Sequence, residues 1–398
     1  MFDPSRVLLI GVDGGATNVR AHHVRVDTNN VGDRFYLGQA SSQLRYPPSD
    51  FVPIPLQRQL DDQGAGRMLL SSTEAKRGSG IAATMAQAVI NVARESEGSA
   101  DQVILGIAMP GLKTAEGRGI AVLNNGPRMP SLAKTVETSL EEAGIVLVNP
   151  IHRLGSDGDS CGMGEQFALD GLFRDVDHAY YLGGGTGLAE SLKLGGKLVT
   201  FDQSRSWIAK AWQMQSTQGN TFEQVASAKA INDRYREQSR TVGSTSSSLL
   251  FPEELALQGD PLAKQALASA AQALAELIYE RITCVFRGRS GSGGFSDTSV
   301  ALDADHEYRG ILIDRIVLGQ QTGRIYSAPR FATVFRNELD RSLSARIRED
   351  RDEALKDRYL SGGDLRPGIV VPSQLSAAAA LGAAITAVQV SAEFRVNE

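Results

Sequence analysis

Apolar positions along the chain fall into two kinds of pattern. Short, mainly apolar runs at 7–12 (VLLIGV), 103–108 (VILGIA), 179–182 (AYYL), 311–318 (ILIDRIVL) and 369–371 (IVV) read as strands. Apolar residues at helical spacing mark 81–94, 131–142, 159–169, 221–237, 261–286, 330–348 and 373–390 as helices. Either 145–148 or 151–154 supplies the strand after the second of these helices. The last helix is rich in Ala and Gly, which permits close backbone packing. Strand and helix alternate with short glycine loops, the signature of an α/β architecture. Two stretches break the alternation. Residues 35–80 hold Pro47, Pro48, Pro53 and Pro55, with only 51–60 resembling a strand or arm, and read as an insertion, a surface loop in preference to an oligomer contact or a lid. Residues 287–297 (RGRSGSGGFSD) open a second Gly/Ser-rich insert that runs to 310.

The strand at 7–12 leads into IGVDGGATNVR, which delivers Asp13 to a turn made by Gly14 and Gly15, with Thr17 following before a second strand leaves through Val19. Glycines let backbone N–H groups approach an anion closely, and a threonine hydroxyl adds a donor. A carboxylate repels bare phosphate, so Asp13 makes sense with a hydrated Mg²⁺ between, an ion that uses one or two carboxylates plus substrate phosphates. A hairpin with an acidic turn is the plainer reading of this stretch alone. A second unit, AYYLGGGTGLAESLKLGGKL at 179–198, repeats strand, glycines, Thr and strand through Gly185, Thr186 and Gly187. The pair implies two related domains facing each other across a nucleotide.

The 398 residues allow two domains of ordinary size, and 42% hydrophobic with 22% charged residues describe a soluble globular chain. A net charge of -5 without a basic tract argues against nucleic acid as partner. Cys161 and Cys284 are too far apart in sequence for a short metal-ligand spacing and read as reduced and structural. No secretory signal opens the chain and no run nears the roughly 20 apolar residues of a membrane span, so a cytoplasmic location is expected.

With these landmarks the chain resembles the ROK family of sugar kinases, within the actin-like ATPase superfamily. The matching blocks are VDGGATN (12–18), LGIAMPG (105–111), SDGDSCGMGE (156–165), GGGTG (183–187), IVLGQQTG (316–323) and QLSAAAALGAA (374–384), with FEQVASAKAI (222–231) matching the helix after the family's zinc segment. The resemblance implies two actin-like, ribonuclease H-like domains with ATP and acceptor in the cleft between them. The first would span 1–153 with the C-terminal helix 374–398 returning to it, the second 154–373. Asp13, Gly14, Gly15 and Thr17 would form the first phosphate hairpin, with Asp13 holding Mg²⁺ through water. Gly185, Thr186 and Gly187 would form the second. Gly319 and Gln320 would lie against adenosine, although the family prefers glycine where this chain has Gln320 and Gln321. Asp157 would be the base that takes the acceptor's proton. It precedes a helix whose N-terminal dipole favours a carboxylate, and such assistance is typically worth about 10²–10⁴-fold. A plain N-cap is the other reading of this pair, favoured for Asp159 and reversed for Asp157 by the block match. Asn125, Ser156 and Glu223 match acceptor-binding positions.

The family's zinc segment is missing: residues 199–221 contain no Cys and no His, so no zinc site can be built there. The segment reads SRSWIAKAW instead, and its Trp207 and Trp212 serve either as core or as substrate-facing residues. Ser156 replaces an Asn and loses the amide's donors. The expected activity is therefore ATP-dependent, Mg²⁺-assisted phosphorylation of a sugar or sugar-like polyol, by a homodimer on family analogy. The alternative is a catalytically weak sugar- or nucleotide-binding sensor. The stretch before Asp13 is too short for a repressor's DNA-binding motif, the G-x-G-x-x-G spacing of a dinucleotide-dependent oxidoreductase is absent, and 2 separated cysteines do not ligate an iron–sulfur cluster.

Overall fold

The computed structural model describes residues 7–29, 32–96, 102–201, 204, 207–241, 251–288 and 302–396. Two compact units result, Met1–Gly171 with Ala377–Glu398, and Leu172–Ser376. The first therefore runs eighteen residues past the boundary expected at 153, because the helix that follows packs on the C-terminal helix.

In the first unit, β1 (Val7–Gly14), β2 (Asn18–Asn29) and β3 (Gly32–Arg45) form an antiparallel meander. Next come α1 (Leu56–Gly64), α2 (Ser72–Glu95) and β4 (Gln102–Ala108), which adds parallel to β1 and gives the order β3-β2-β1-β4. A small ribbon of β5 (Leu112–Lys113) and β6 (Ile120–Val122) precedes α3 (Leu132–Glu142) and α4 (Asp157–Phe167). The strand expected at 145–148 or 151–154 does not form. Leu147 and Gly155 make single parallel bridges to Val103 and Ala108 at either end of β4, and Asn149-Pro150 interrupts the ladder between them.

The irregular stretch expected from residue 35 begins as a regular strand instead. β3 pairs along β2, so the partner strand overrides a Gly- and Ser-rich sequence of weak β-propensity. Helix α2 starts two turns before the apolar periodicity, at Ser71, whose hydroxyl accepts from Glu74 N at 3.1 Å. Its polar first turn is polar because Glu74 is buried against Arg128, with Nε–Oε1 and Nη2–Oε2 distances both 2.9 Å.

The C-terminal helix (Ala378–Val396) lies on this sheet and on α4 with almost no spacing. Gly11 and Gly106 are register partners on β1 and β4, and a Cβ on either would overlap the carbonyls of Ala380 or Ala383. A Cβ on Gly382 would overlap the Ser160 carbonyl on α4. Small residues on both sides thus let backbones touch.

In the second unit, β7 (Ala179–Gly184), β8 (Leu188–Leu194) and β9 (Lys197–Val199) form another antiparallel meander. Helices α5 (Phe222–Ala226), α6 (Ala228–Thr241), α7 (Pro252–Leu257) and α8 (Pro261–Arg287) follow, α8 being buried along most of its length. β10 (Arg315–Gly319) adds parallel to β7 and opens α9 (Gln320–Ser327). A 3₁₀ turn over Pro329–Phe331 and a π-helical turn over Ala332–Arg336 lead to α10 (Asn337–Arg348) and α11 (Glu353–Tyr359). The ribbon of β11 (Leu360–Ser361) and β12 (Asp364–Leu365) precedes β13 (Val370–Pro372), and the sheet order is β13-β10-β7-β8-β9. Both sheets share one plan: a three-strand meander whose first strand takes a parallel neighbour on its other side. The two glycine turns occupy the same place in that plan, between the first strand and the second. Most of the Gly/Ser stretch expected at 287–297 lies outside the described residues.

Candidate functional site

In the first unit Asp13 stands at the end of β1, opposite Arg20 on β2 and beside Ala108 on β4. Gly15 N donates to Asn18 O at 2.9 Å and closes the turn. Gly14 leaves the space that the ends of Met85 and Met109 fill, and Thr17 is exposed. The Asp13 carboxyl is pushed up to about 6, by burial first and then by the charge of Asp157, against the opposing pull of Arg20. The two acids, 144 positions apart in sequence (157 minus 13), therefore share one electrostatic neighbourhood.

Asp157 is the first residue of α4. The cap is Ser156, whose Oγ accepts from Asp159 N at 3.1 Å and donates to Asp159 Oδ2 at 2.8 Å. Asp159 thus closes a reciprocal capping arrangement at N3 and is not the N-cap. Among the described residues, Asp157 Oδ1 accepts only the local Gly158 N, at 3.0 Å. The Ser156 hydroxyl is committed to the helix start. Asn125 sits with Asn124 in an exposed turn after β6. That turn is tied to α1, since buried Gln59 bonds both backbone groups of Leu123, accepting from its N at 2.8 Å and donating to its O at 3.1 Å.

Sequence reasoning missed Tyr46. Its backbone N donates to Thr17 O at 3.1 Å, which holds it against the first glycine turn. The side chain is 7% exposed, and its hydroxyl has no partner among the described residues. Burial and the nearby Asp13 charge raise its pKa. Its place just ahead of Pro47-Pro48 was the only signal, because its closeness to Asp13 depends on the unforeseen strand β3. Asp13 and Asp157 supply carboxylate oxygens of the kind a hydrated Mg²⁺ uses.

In the second unit, Gly185 N donates to Gly187 O at 2.9 Å and Thr186 is exposed at the tip. Glu223 Oε2 accepts from Leu188 N at 3.1 Å, and a Cβ on Gly187 would lie 2.6 Å from that oxygen, so Glu223 braces the turn. Gly319 caps α9 in an extended conformation, where a side chain would overlap the Tyr181 hydroxyl. Gln320 has φ +55°, unlike every other non-glycine residue described. A left-handed conformation costs a non-glycine residue about 1–3 kcal/mol.

The segment that replaces the zinc motif is held by a buried ionic cluster. Glu190 accepts from Arg281 Nε and Nη2 at 2.8 and 2.6 Å, from the Tyr180 hydroxyl at 2.8 Å and from Ala211 N at 2.7 Å. Arg281 also donates to Ala209 O at 2.7 Å. Trp207 is 6% exposed and stacks its ring 5.7 Å from His306 and 6.0 Å from Tyr308, so it serves the core. Trp212 is half-buried.

The sequence matches no family model and no curated protein. Solved structures do match over nearly the whole chain. A ROK family glucokinase from Streptomyces griseus, in complex with glucose and AMPPNP, has 18% identity and a TM-score of 0.58, covering 96% of this chain and 99% of its own. The chain has the fold of the ROK sugar kinases. The ROK hexokinase from Thermus thermophilus covers 97% and 99% at 15% identity, with a TM-score of 0.52. The ROK fold also serves a transcriptional regulator, a homolog of the Escherichia coli MLC protein, which covers 98% of this chain and 79% of its own at 13% identity and a TM-score of 0.51. Among the described residues, no helix is long and apolar enough to cross a membrane.

Proposed function

We propose that the chain is an ATP-dependent kinase that moves the γ-phosphoryl group to a hydroxyl of a sugar or sugar-like polyol. The observation that carries this reading is the coupling of Asp13 and Asp157 at a strand end and a helix start, within a ROK sugar-kinase fold. Asp157 accepts the acceptor hydroxyl's proton as that oxygen bonds to phosphorus and the bond to the ADP oxygen breaks. Asp157 suits the task because its carboxylate is tied, among the described residues, only to the neighbouring Gly158 N and stands where the helix dipole favours negative charge. Asp13, with water between, would hold Mg²⁺, which supplies charge neutralisation at the phosphates. Arg20, across the hairpin from Asp13, moderates the repulsion between the two acids. The glycine turns at 13–17 and 185–187 offer backbone N–H groups to phosphate, while Gly319 and Gln320 belong to the nucleotide side.

Glu223 and Asn125 stay as acceptor-side candidates, while Ser156 acts through the cap of α4. Without the usual metal segment the loop at 207–214 is held instead by the core packing of Trp207 and by the Glu190–Arg281 cluster, so the acceptor side departs from the family's pattern and amino sugars, other modified sugars and cyclitols stand beside hexoses as acceptors. A cytoplasmic homodimer completes the proposal. A sensor without turnover is the second reading, favoured by the side chain that Gln320 places where the family has glycine. Product analysis by mass spectrometry after incubation with Mg-ATP and an acceptor panel separates the two. A phosphorylated acceptor is expected; saturable sugar binding with no product would favour the sensor.

A further inference from the structure

The Gln320 side chain lies over the glycines of the second hairpin. A Cβ built on Gly185 would be 2.7 Å from Gln320 Oε1, and one built on Gly183 would be 3.1 Å from Gln320 Cδ. Backbone geometry puts it there. Gly319 pairs with Gly183 at the end of β10 and β7, Gln320 bridges Gly184, and the left-handed φ of +55° turns its side chain toward the hairpin. Gln321 points elsewhere, donating from Nε2 to Glu253 Oε1 at 2.6 Å on α7, which fixes the start of α9. The Gln320 side chain stays exposed and makes no hydrogen bond among the described residues, so a rotamer change can move it.

We propose that Gln320 sets the affinity for the phosphate donor, because its carboxamide occupies the face of the 183–187 turn that the donor's phosphates take and must leave when they bind. This rests on the kinase reading above. A site open only part of the time binds with its intrinsic affinity scaled by the open fraction. With the carboxamide over the turn for most of the time, the cost is about three- to tenfold in affinity. A carboxamide that instead bonded the phosphates directly would act with the opposite sign.

The test is calorimetric titration of Mg-AMPPNP into wild type, Gln320→Ala and Gln320→Gly, with thermal melts to establish that each is folded. Both variants are expected to bind about three- to tenfold tighter than wild type. Gln320→Ala keeps the left-handed backbone cost while removing the carboxamide, so tightening in this variant isolates occlusion from strain. Equal or weaker binding by Gln320→Ala, with wild type binding measurably, overturns the proposal and leaves the kinase reading intact. No binding by any of the three at millimolar nucleotide overturns both.

Discussion

Asp13 keeps its proton to about pH 6 because burial and the Asp157 charge both oppose ionisation more than Arg20 favours it. Between about pH 4 and 6 the folded state therefore holds a proton that the unfolded chain has released. Metal-free stability falls as pH rises through that window, and the penalty is complete above it. Asp13→Asn removes the charge, so the melting temperature of its unit in chelator at pH 8 should exceed that of wild type by at least about 2–4 °C, the shift about 1 kcal/mol gives in a folding unit of this size. The difference should vanish near pH 4, and a gap that persists there would show that Asp13 acts by something other than its charge. At this scale the sequence is informative where a motif carries the residue. Asp13 and the glycines of both turns were legible in the sequence pattern, and Asp157 through its match to the block of the ROK family. Tyr46 and the left-handed Gln320 were not, since one depends on a strand the composition hides and the other on a backbone angle that no side-chain pattern encodes.

Elements were legible where apolar spacing made them, and mislocated where polar groups are buried. The start of α2 was missed because Glu74 and Arg128 look like solvated charges until they meet in the core. The small-residue C-terminal helix was read correctly as a close packer, and its glycines give a sharp test. Helix propensity alone favours Ala over Gly by about 1 kcal/mol. A Cβ on Gly382 overlaps the Ser160 carbonyl, however, and overpacking of that kind typically costs about 1–3 kcal/mol. Gly382→Ala should therefore unfold at lower denaturant than wild type. A neutral or stabilised variant would mean that α4 and the C-terminal helix are spaced more widely. The loop at 207–214 provides a second case. Arg281 is wholly buried with Glu190, so Arg281→Met leaves an unpaired buried carboxylate and should lower stability by about 3–5 kcal/mol. In Mg²⁺-free buffer, chelator should leave the wild-type melt unchanged, because the cluster holds this loop by hydrogen bonds and charge. A melt lowered by chelator would point to metal ligands outside the 199–221 segment.

At the scale of the whole molecule, two units repeat one strand plan and place a glycine turn after the first strand of each. The echo between VDGGATN and GGGTG made that repetition readable before any fold was known. The unit boundary was less readable, because α4 looks by sequence like the opening of a new domain and is held by a helix more than two hundred residues later. The proposed activity comes down to Asp157. The most direct measurement is the rate of ADP release from Mg-ATP with a turned-over acceptor, compared between wild type and Asp157→Asn. The account predicts a loss of about 10²–10⁴-fold or more in the variant, with nucleotide affinity nearly unchanged. Equal rates in the two proteins would contradict it.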